Sequence, residues 1–423
     1  MQEKKEYKLI RCGRLYDGTC DAMHSNWEIL VEDDRIQEVG ARVTCPEGTK
    51  VIDLSDCTVT PGMIDAHVHF QHVNWQVRNR DAVYKGGVWR SMAYLYNARK
   101  SLYRGFTSIR CIGGSTFDYY GGIAAKNMIN QGYFDGARLI VMPYYCCTPG
   151  SHGDHSQYLW ENPYLSELQI KTAPTCGSGA DFFRNAVRKE IKYGADFAKV
   201  FVNGGVSTPH DAPDDESMTK EEMAAVIETA HGLRVPVTAH VYSDQTMQKL
   251  LNLGIDGMEH GSFMTRATAS RFEDSGTYLV PTLCCLNDAV HPDPEKLAQK
   301  AAHYREKLMK YSPQYIEGRK VILSSNIKLG YGTDFVANYH PYDHGREYEC
   351  WIQNGVEPYR ILRAMTKNNA EILRIDKDLG TIEVGKLADI AAWKRDPMTD
   401  PLAFCDCSFV MKNGNIYPTE TSL

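Results

Sequence analysis

The spacing of hydrophobic and polar positions changes twice along the 423 residues. Residues 7–61 read as short strands separated by turns. Tyr7-Lys-Leu-Ile-Arg-Cys12 leads into Tyr16-Asp-Gly-Thr19, residues 27–40 form a hairpin pattern turning at Asp33-Asp34, and Lys50-Val-Ile-Asp-Leu54 closes the set. Past Pro61-Gly62, short apolar runs alternate with helical stretches, the order of a parallel sheet or barrel. Eight runs qualify as strands: 63–69, 107–112, 138–143, 197–203, 235–242, 257–263, 278–282 and 328–334. Among the helices, 220–233 has apolar residues at helical spacing, with Thr219 and Glu222 placed as a capping box. The stretch 294–324 is long and helical in pattern, with Pro313 as its expected break, and 357–373 predicts the last helix. After about residue 380 the strand pattern returns, and Asn413-Gly414 is a hairpin turn signal. The segment 144–185, rich in Gly, Pro, His and Tyr, is too long for a passive loop. The expected fold is therefore α/β. It is a (β/α)8 TIM barrel over residues 62–380, flanked by a small β-sandwich domain built from residues 1–61 and 381–423.

Composition narrows the function. A net charge of -6, spread along the chain without a basic block, gives no support for nucleic-acid binding. The amino-terminal residues are charged and lack an apolar core segment, and no apolar run reaches transmembrane length. Thirteen cysteines without regular spacing fit free thiols in a reducing cytoplasm. The expectation is a cytoplasmic protein with a small-molecule substrate, no nucleic-acid partner and no membrane partner. Cys405-Asp-Cys407 is the one close spacing that suggests a soft metal, and no second Cys/His pair accompanies it.

Catalytic groups of such barrels sit at the carboxyl ends of the strands. The first strand ends in His67 and His69, two residues apart and so on one face. The fourth carries Lys199 inside an apolar run. The fifth ends in His240, the sixth carries Glu259-His260-Gly261, and the eighth ends in Gly332-Thr-Asp334. Each has an ordinary explanation alone: a buried histidine, a snorkelling lysine, a capping aspartate. Together, four histidines, a lysine and an aspartate at five strand ends point to metal chemistry. Two divalent ions can clamp a hydroxide and polarise a carbonyl. Histidine suits Zn²⁺, and a carboxylate can bind metal while also taking a proton. Lysine becomes a ligand once it is uncharged or converted by CO₂ to a carbamate, whose two oxygens can bridge two ions.

Pro61-Gly-Met-Ile-Asp-Ala-His-Val-His69, Lys199, Thr238-Ala-His240, Glu259-His260-Gly261 and Gly332-Thr-Asp334 resemble the amidohydrolase superfamily. Gly13-Arg-Leu-Tyr-Asp-Gly-Thr19 and Gly380-Thr-Ile-Glu-Val-Gly-Lys-Leu-Ala-Asp-Ile390 are similar to its flanking β domain, so the likeness spans nearly the whole chain. It implies a binuclear centre of the carboxylated-lysine type. His67 and His69 would hold the more buried ion with Asp334, Lys199 would bridge as a carbamate, and His240 and His260 would hold the more exposed ion. Asp334 would also be the general base. The branch resembled is that of the metal-dependent prolidases, Xaa-dipeptidases and ochratoxin amidases. It implies hydrolysis of a dipeptide or N-acyl amino acid with a free carboxylate. Zn²⁺ is the expected metal, and a homo-oligomer is compatible with the family. The alternative is a cyclic amide hydrolase of the imidazolonepropionase type, against which Lys199 argues.

Two positions match residues that bind the substrate carboxylate in that branch: His152 in Gly150-Ser-His-Gly-Asp154, and Tyr242, two residues after His240. An imidazolium and a phenol both donate to a carboxylate. His344 is a further candidate, either touching substrate or supporting Asp334. Arg110 is expected to be structural, pairing with a carboxylate or carbonyl beneath the site. Cys111, Cys146 and Cys147 depart from the residues usual in the branch.

Overall fold

The computed structural model describes residues 5–73, 86–114, 119–159, 161–334 and 344–420. Five strands come first: β1 (Tyr7–Leu15), β2 (His24–Ser25), β3 (Glu28–Glu32), β4 (Arg35–Gly40) and β5 (Lys50–Pro61). Seven parallel strands follow: β6 (Met63–Val68), β7 (Phe106–Cys111), β8 (Arg138–Val141), β9 (Ala198–Phe201), β10 (Val237–Val241), β11 (Gly257–His260) and β12 (Tyr278–Val280). The chain closes with β13 (Ile390–Trp393), β14 (Cys407–Lys412) and β15 (Asn415–Tyr417).

Strands from both chain ends share one sheet, in the order β15-β14-β13-β5-β1-β3-β4, with β2 on β1. Their inward residues form a common core, in which Ile10, Ile29, Val31 and Val59 meet Ile390, Phe409 and Met411. Both expected hairpin turns are present. Asp33 joins β3 to β4 at φ +53°, and Asn413 and Gly414 both take left-handed backbone between β14 and β15. That geometry matches the strand twist.

Every residue of the seven parallel strands except Arg138 is buried, as in strands covered on both faces. They fall into the runs β6-β7-β8 and β9-β10-β11-β12. Irregular backbone closes the two gaps. On one side Cys146 N donates to Lys199 O and Phe201 N to Cys146 O, at 2.8 and 2.9 Å. On the other, residues 328–334 lie where the eighth strand is expected but form no regular strand. They still bond to both neighbours: Leu279 N to Lys328 O, Ala66 N to Tyr331 O and Asp334 N to His67 O. The barrel is thus closed with a distorted eighth stave, and the distortion falls where Asp334 must turn inward.

The helix Lys220–Gly232 has the expected capping box, with Thr219 and Glu222 exchanging side-chain and backbone bonds. Pro313 does not break its helix, which runs unbroken over Ala302–Ser324. Burial of Leu308, Tyr311 and Tyr315 on either side outweighs the one backbone bond that proline removes. The last barrel helix is interrupted by a π turn, Ala364–Asn368. The turn delivers Asn369 against the barrel, where Nδ2 donates to Ile64 O and Tyr331 O and Oδ1 accepts from Tyr331 N. One amide therefore ties β6 to the eighth stave. All thirteen cysteines are free thiols. Among the described residues, no helix is long and apolar enough to cross a membrane.

Candidate active site

The six residues predicted as ligands meet at the carboxyl ends of the staves. His67 lies in β6, and His69 follows its last residue. Their Nε2 atoms both lie 3.3 Å from Asp334 Oδ1. His260 ends β11 at φ +67°, and a donor atom from each of His67, His260 and Asp334 falls within 4.8 Å of the others. His240, in β10, packs edge-on against His260 with ring centroids 4.7 Å apart.

Each imidazole is held by one nitrogen. His67 Nδ1 is 2.7 Å from Glu259 Oε2, and His69 Nδ1 is 2.7 Å from Gly113 O. His260 Nδ1 is 2.6 Å from Thr282 Oγ1, and His240 Nε2 is 3.2 Å from Gly204 O. Metal-binding histidines show this pattern, in which an outer partner fixes the ring and the other nitrogen faces the site. Burial first, and then neighbouring basic groups, hold His240 well below its ordinary pKa. Burial also prevails at His260, although Asp334 opposes it. Both shifts favour the neutral imidazole, the form that coordinates a cation.

Lys199 is fully buried in β9, and its Nζ has no hydrogen-bond partner among the described residues. Burial lowers its pKa to about 8, although Glu259 pulls the other way. An orphaned buried amine is costly, and conversion to a carbamate would supply charge and acceptors facing the histidines. The donor set thus fits a binuclear centre.

Beneath the ligands lies a buried ionic support. Arg110 donates from Nη2 to Glu259 Oε1 at 2.6 Å, from Nη1 to the Tyr278 hydroxyl at 2.8 Å and from Nε to Ala66 O. Thr238 Oγ1 also donates to Glu259. Burial opposes the Glu259 charge, yet Arg110 and then His67 hold this carboxyl well below the usual range. Arg110 has the structural role expected of it. Glu259 entered the sequence argument only as part of a motif; its task of aiming His67 needed the packing.

Asp334 adopts left-handed backbone, φ +51°. Burial opposes its ionisation, but His67 and His69 prevail and hold it well below its ordinary value. Its Oδ2 accepts from Cys285 Sγ at 3.1 Å. Cys285 is reached by water yet surrounded by protein, and that crowding, with Asp334 beside it, pushes the thiol well above its ordinary pKa. Nothing in the sequence pointed to Cys285. The turn that carries it is fixed by Glu347, which accepts from Leu283 N and Cys284 N at 2.8 and 2.7 Å.

The structure does not bring His344 to the cluster. Its Nδ1 lies 2.7 Å from Asp65 Oδ2 and its Nε2 2.9 Å from Ser101 Oγ, while the ring stacks on Phe106. With both nitrogens engaged and the side chain buried, it has no edge to offer a substrate. Asp65 also accepts from Thr333 N and Thr333 Oγ1 at 3.2 and 2.7 Å and from His67 N at 3.0 Å. His344 therefore acts through Asp65, which clamps the residue before Asp334 to the end of β6. A buried acid two residues before His67 was the available sequence signal for Asp65.

His152 and Tyr242 do border the cluster. His152 stacks on His240 at 4.8 Å and its Nδ1 lies 2.9 Å from Thr208 Oγ1. Gly205 permits this approach, since a Cβ there would lie 2.1 Å from the His152 ring. Tyr242 packs edge-on to His240 and parallel to His260, at 4.9 and 5.2 Å. Burial raises its phenol well above the ordinary value, so it remains a donor.

A closed βα barrel with convergent histidines, a buried lysine and an aspartate at its strand ends defines a metal-dependent hydrolase of the amidohydrolase class. The amidohydrolase family profile matches residues 58–419, and the chain belongs to that family. An ochratoxinase from Aspergillus niger is 23% identical over 436 aligned positions, covering 98% of this chain and 87% of its own. The crystal structure of a Xaa-Pro dipeptidase with methionine in its active site superposes with a TM-score of 0.85 at 27% identity, covering 98% of this chain and all of that one. The crystal structure of the Aspergillus niger ochratoxinase gives a TM-score of 0.85 at 20% identity, with 99% and 96% covered.

Proposed function

We propose that this amidohydrolase is binuclear and cleaves the amide of a dipeptide or N-acyl amino acid with a free carboxylate. The observation carrying this reading is the buried Lys199 amine, without a hydrogen-bond partner among the described residues, on the strand paired with that of His240. His67, His69 and Asp334 would bind one ion, His240 and His260 the other, and Lys199 as a carbamate would bridge them. When bound, two such cations, Zn²⁺ by donor type, activate water and polarise a carbonyl.

The chain's own groups supply the rest. Asp334 is ionised and takes a proton at the site; passing it to the departing nitrogen completes the cleavage. His152 and Tyr242, at the rim formed with His240, donate to the substrate carboxylate and place the amide. That pair, together with the ochratoxinase and dipeptidase likeness, supports a substrate ending in a carboxylate. A cytoplasmic setting accords with thirteen free thiols.

Asp334→Asn tests the mechanism. Turnover should fall by roughly 10²–10⁴ while metal analysis still finds most of the bound ions. Wild-type turnover in that variant would sink the role of Asp334. A barrel centre that takes up only one ion per chain would sink the binuclear reading. Screening the zinc-loaded protein against dipeptides and N-acyl amino acids identifies the substrate.

A further inference from the structure

A second group of metal donors lies outside the barrel, at the turn between β1 and β2. The chain leaves β1 through Asp17 and Gly18 (φ +80°) and returns so that His24 pairs with Leu15. The turn is anchored to the other chain end, where Ile382 N donates to Asp17 O at 2.8 Å. Asp17 Oδ1 is occupied by Thr19 N and Thr19 Oγ1, both at 2.8 Å. That fixes the carboxylate and leaves Oδ2 facing His24 Nε2 at 3.3 Å. The His24 ring is held by stacking on Trp27, with centroids 3.8 Å apart and planes 18° from parallel. Cys20 Sγ completes the group, the three donor atoms lying within 4.8 Å of one another.

The Asp17–His24 contact is at ion-pair distance but lacks hydrogen-bond geometry. His24 Nε2 is buried and has no hydrogen-bond partner among the described residues, although the Asp17 carboxylate is beside it. Tetrahedral zinc, with bonds of about 2.0–2.3 Å, sets donor–donor separations of about 3.3–3.6 Å. The Asp17–His24 separation already equals that edge, and Cys20, on an exposed turn, needs only a small rotation. One thiolate, one imidazole and one carboxylate form a borderline-soft donor set, with a fourth position for water.

We infer that Asp17, Cys20 and His24 bind a divalent ion of the zinc and cobalt class, at a site separate from the barrel centre. On binding, the Cys20 thiol loses its proton to solvent and the carboxylate and imidazole keep their places. The ion then pins the β1–β2 turn.

Cobalt titration of the metal-stripped full-length protein tests this. A near-ultraviolet thiolate-to-cobalt charge-transfer band should grow and saturate at one equivalent of that site. Cys20→Ser and His24→Ala should each lose the band and bind one equivalent fewer than the parent. Cys285→Ser, which removes the thiol beside Asp334, should keep it. Absence of the band from the parent, its survival in Cys20→Ser, or its loss in Cys285→Ser alone would overturn the assignment. Cys20 lies on an exposed turn, so its serine variant tests the donor without challenging the fold.

Discussion

Glu259→Gln is the most informative substitution beneath the site, because it keeps shape and removes charge. Glu259 is fully buried and receives donors from Arg110, His67 and Thr238. A glutamine can accept from one side, while its amide hydrogens face a donor on the other. Arg110, 2% exposed, then holds an uncompensated charge. Breaking one side of such a buried pair costs about 3–5 kcal/mol. His67 also loses its orienting acceptor, so metal affinity should fall about 10–100-fold. Urea denaturation of the metal-stripped protein reads the first quantity and metal titration the second. The native carboxyl titrates far below its ordinary value of 4.5. The parent's advantage should therefore be complete above that pH and shrink as the pH falls further. Arg110→Met with Glu259→Leu removes both charges together. This double variant should cost less stability than Glu259→Gln, yet bind metal no better, since His67 remains unaimed. A Glu259→Gln protein within about 1 kcal/mol of the parent, or a double variant worse than the single, would refute the reasoning.

His152→Ala and Tyr242→Phe should raise KM for carboxylate substrates by about 10–100-fold, the worth of one hydrogen bond to a charge, and leave a neutral amide analogue little changed; steady-state kinetics on the matched pair decides this. Lys199→Met should stabilise the metal-stripped protein below pH 8 by roughly 3 kcal/mol, because the native amine there carries a buried charge. The native pKa is about 8 against an ordinary 10.5, so the parent recovers as pH rises through that interval and the difference fades. Denaturation across pH 6–11 checks it, and a pH-independent difference would contradict it. His344→Gln should lower stability by about 1–3 kcal/mol through the Asp65 clamp without a selective change in KM; a rise in KM confined to carboxylate substrates would instead make His344 a substrate contact.

The predicted ligand set could be read because its chemistry is polar and its setting is not. A histidine pair, a lysine and an aspartate interrupt apolar runs whose alternation with helices already predicts a barrel. The eighth stave was located from the same signal, but its irregular path was not. Gly332 has no room for a Cβ, which would lie 2.7 Å from the His67 Cβ, so that approach is fixed by tertiary contact. His344 stayed open between two roles for a related reason: nearness in sequence to Asp334 does not distinguish a ring facing the cleft from one turned toward Asp65. Cys285 depends on Glu347 and Arg319, from helices remote in sequence, which hold the preceding turn; Arg319 donates to Leu283 O at 2.9 Å. The Asp17–Cys20–His24 group escaped because its donors belong to a turn and the start of a two-residue strand outside the barrel.

Backbone strain ties these observations together. His260, Thr282 and Asp334 have φ of +67°, +46° and +51°, all left-handed, just where three consecutive staves end. Such conformations cost non-glycine residues about 1–3 kcal/mol each. Glycine would relieve the strain at any of them, and the sequence uses it instead at the next position, Gly261. The side chains explain the choice. His260 and Asp334 belong to the predicted ligand set, and Thr282 supplies the hydroxyl beside His260 Nδ1. Staves whose residues continued in extended backbone would send these groups to alternate faces. A left-handed residue at each end breaks the alternation and turns the groups toward one point. The strain is sustained by bonds placed around it: Asp334 N to His67 O, Gly261 N to Val241 O, and Thr333 Oγ1 to Asp65 Oδ2. Convergence at this end of the barrel is therefore built into the backbone, with one nitrogen of each of the four imidazoles held by an outer partner.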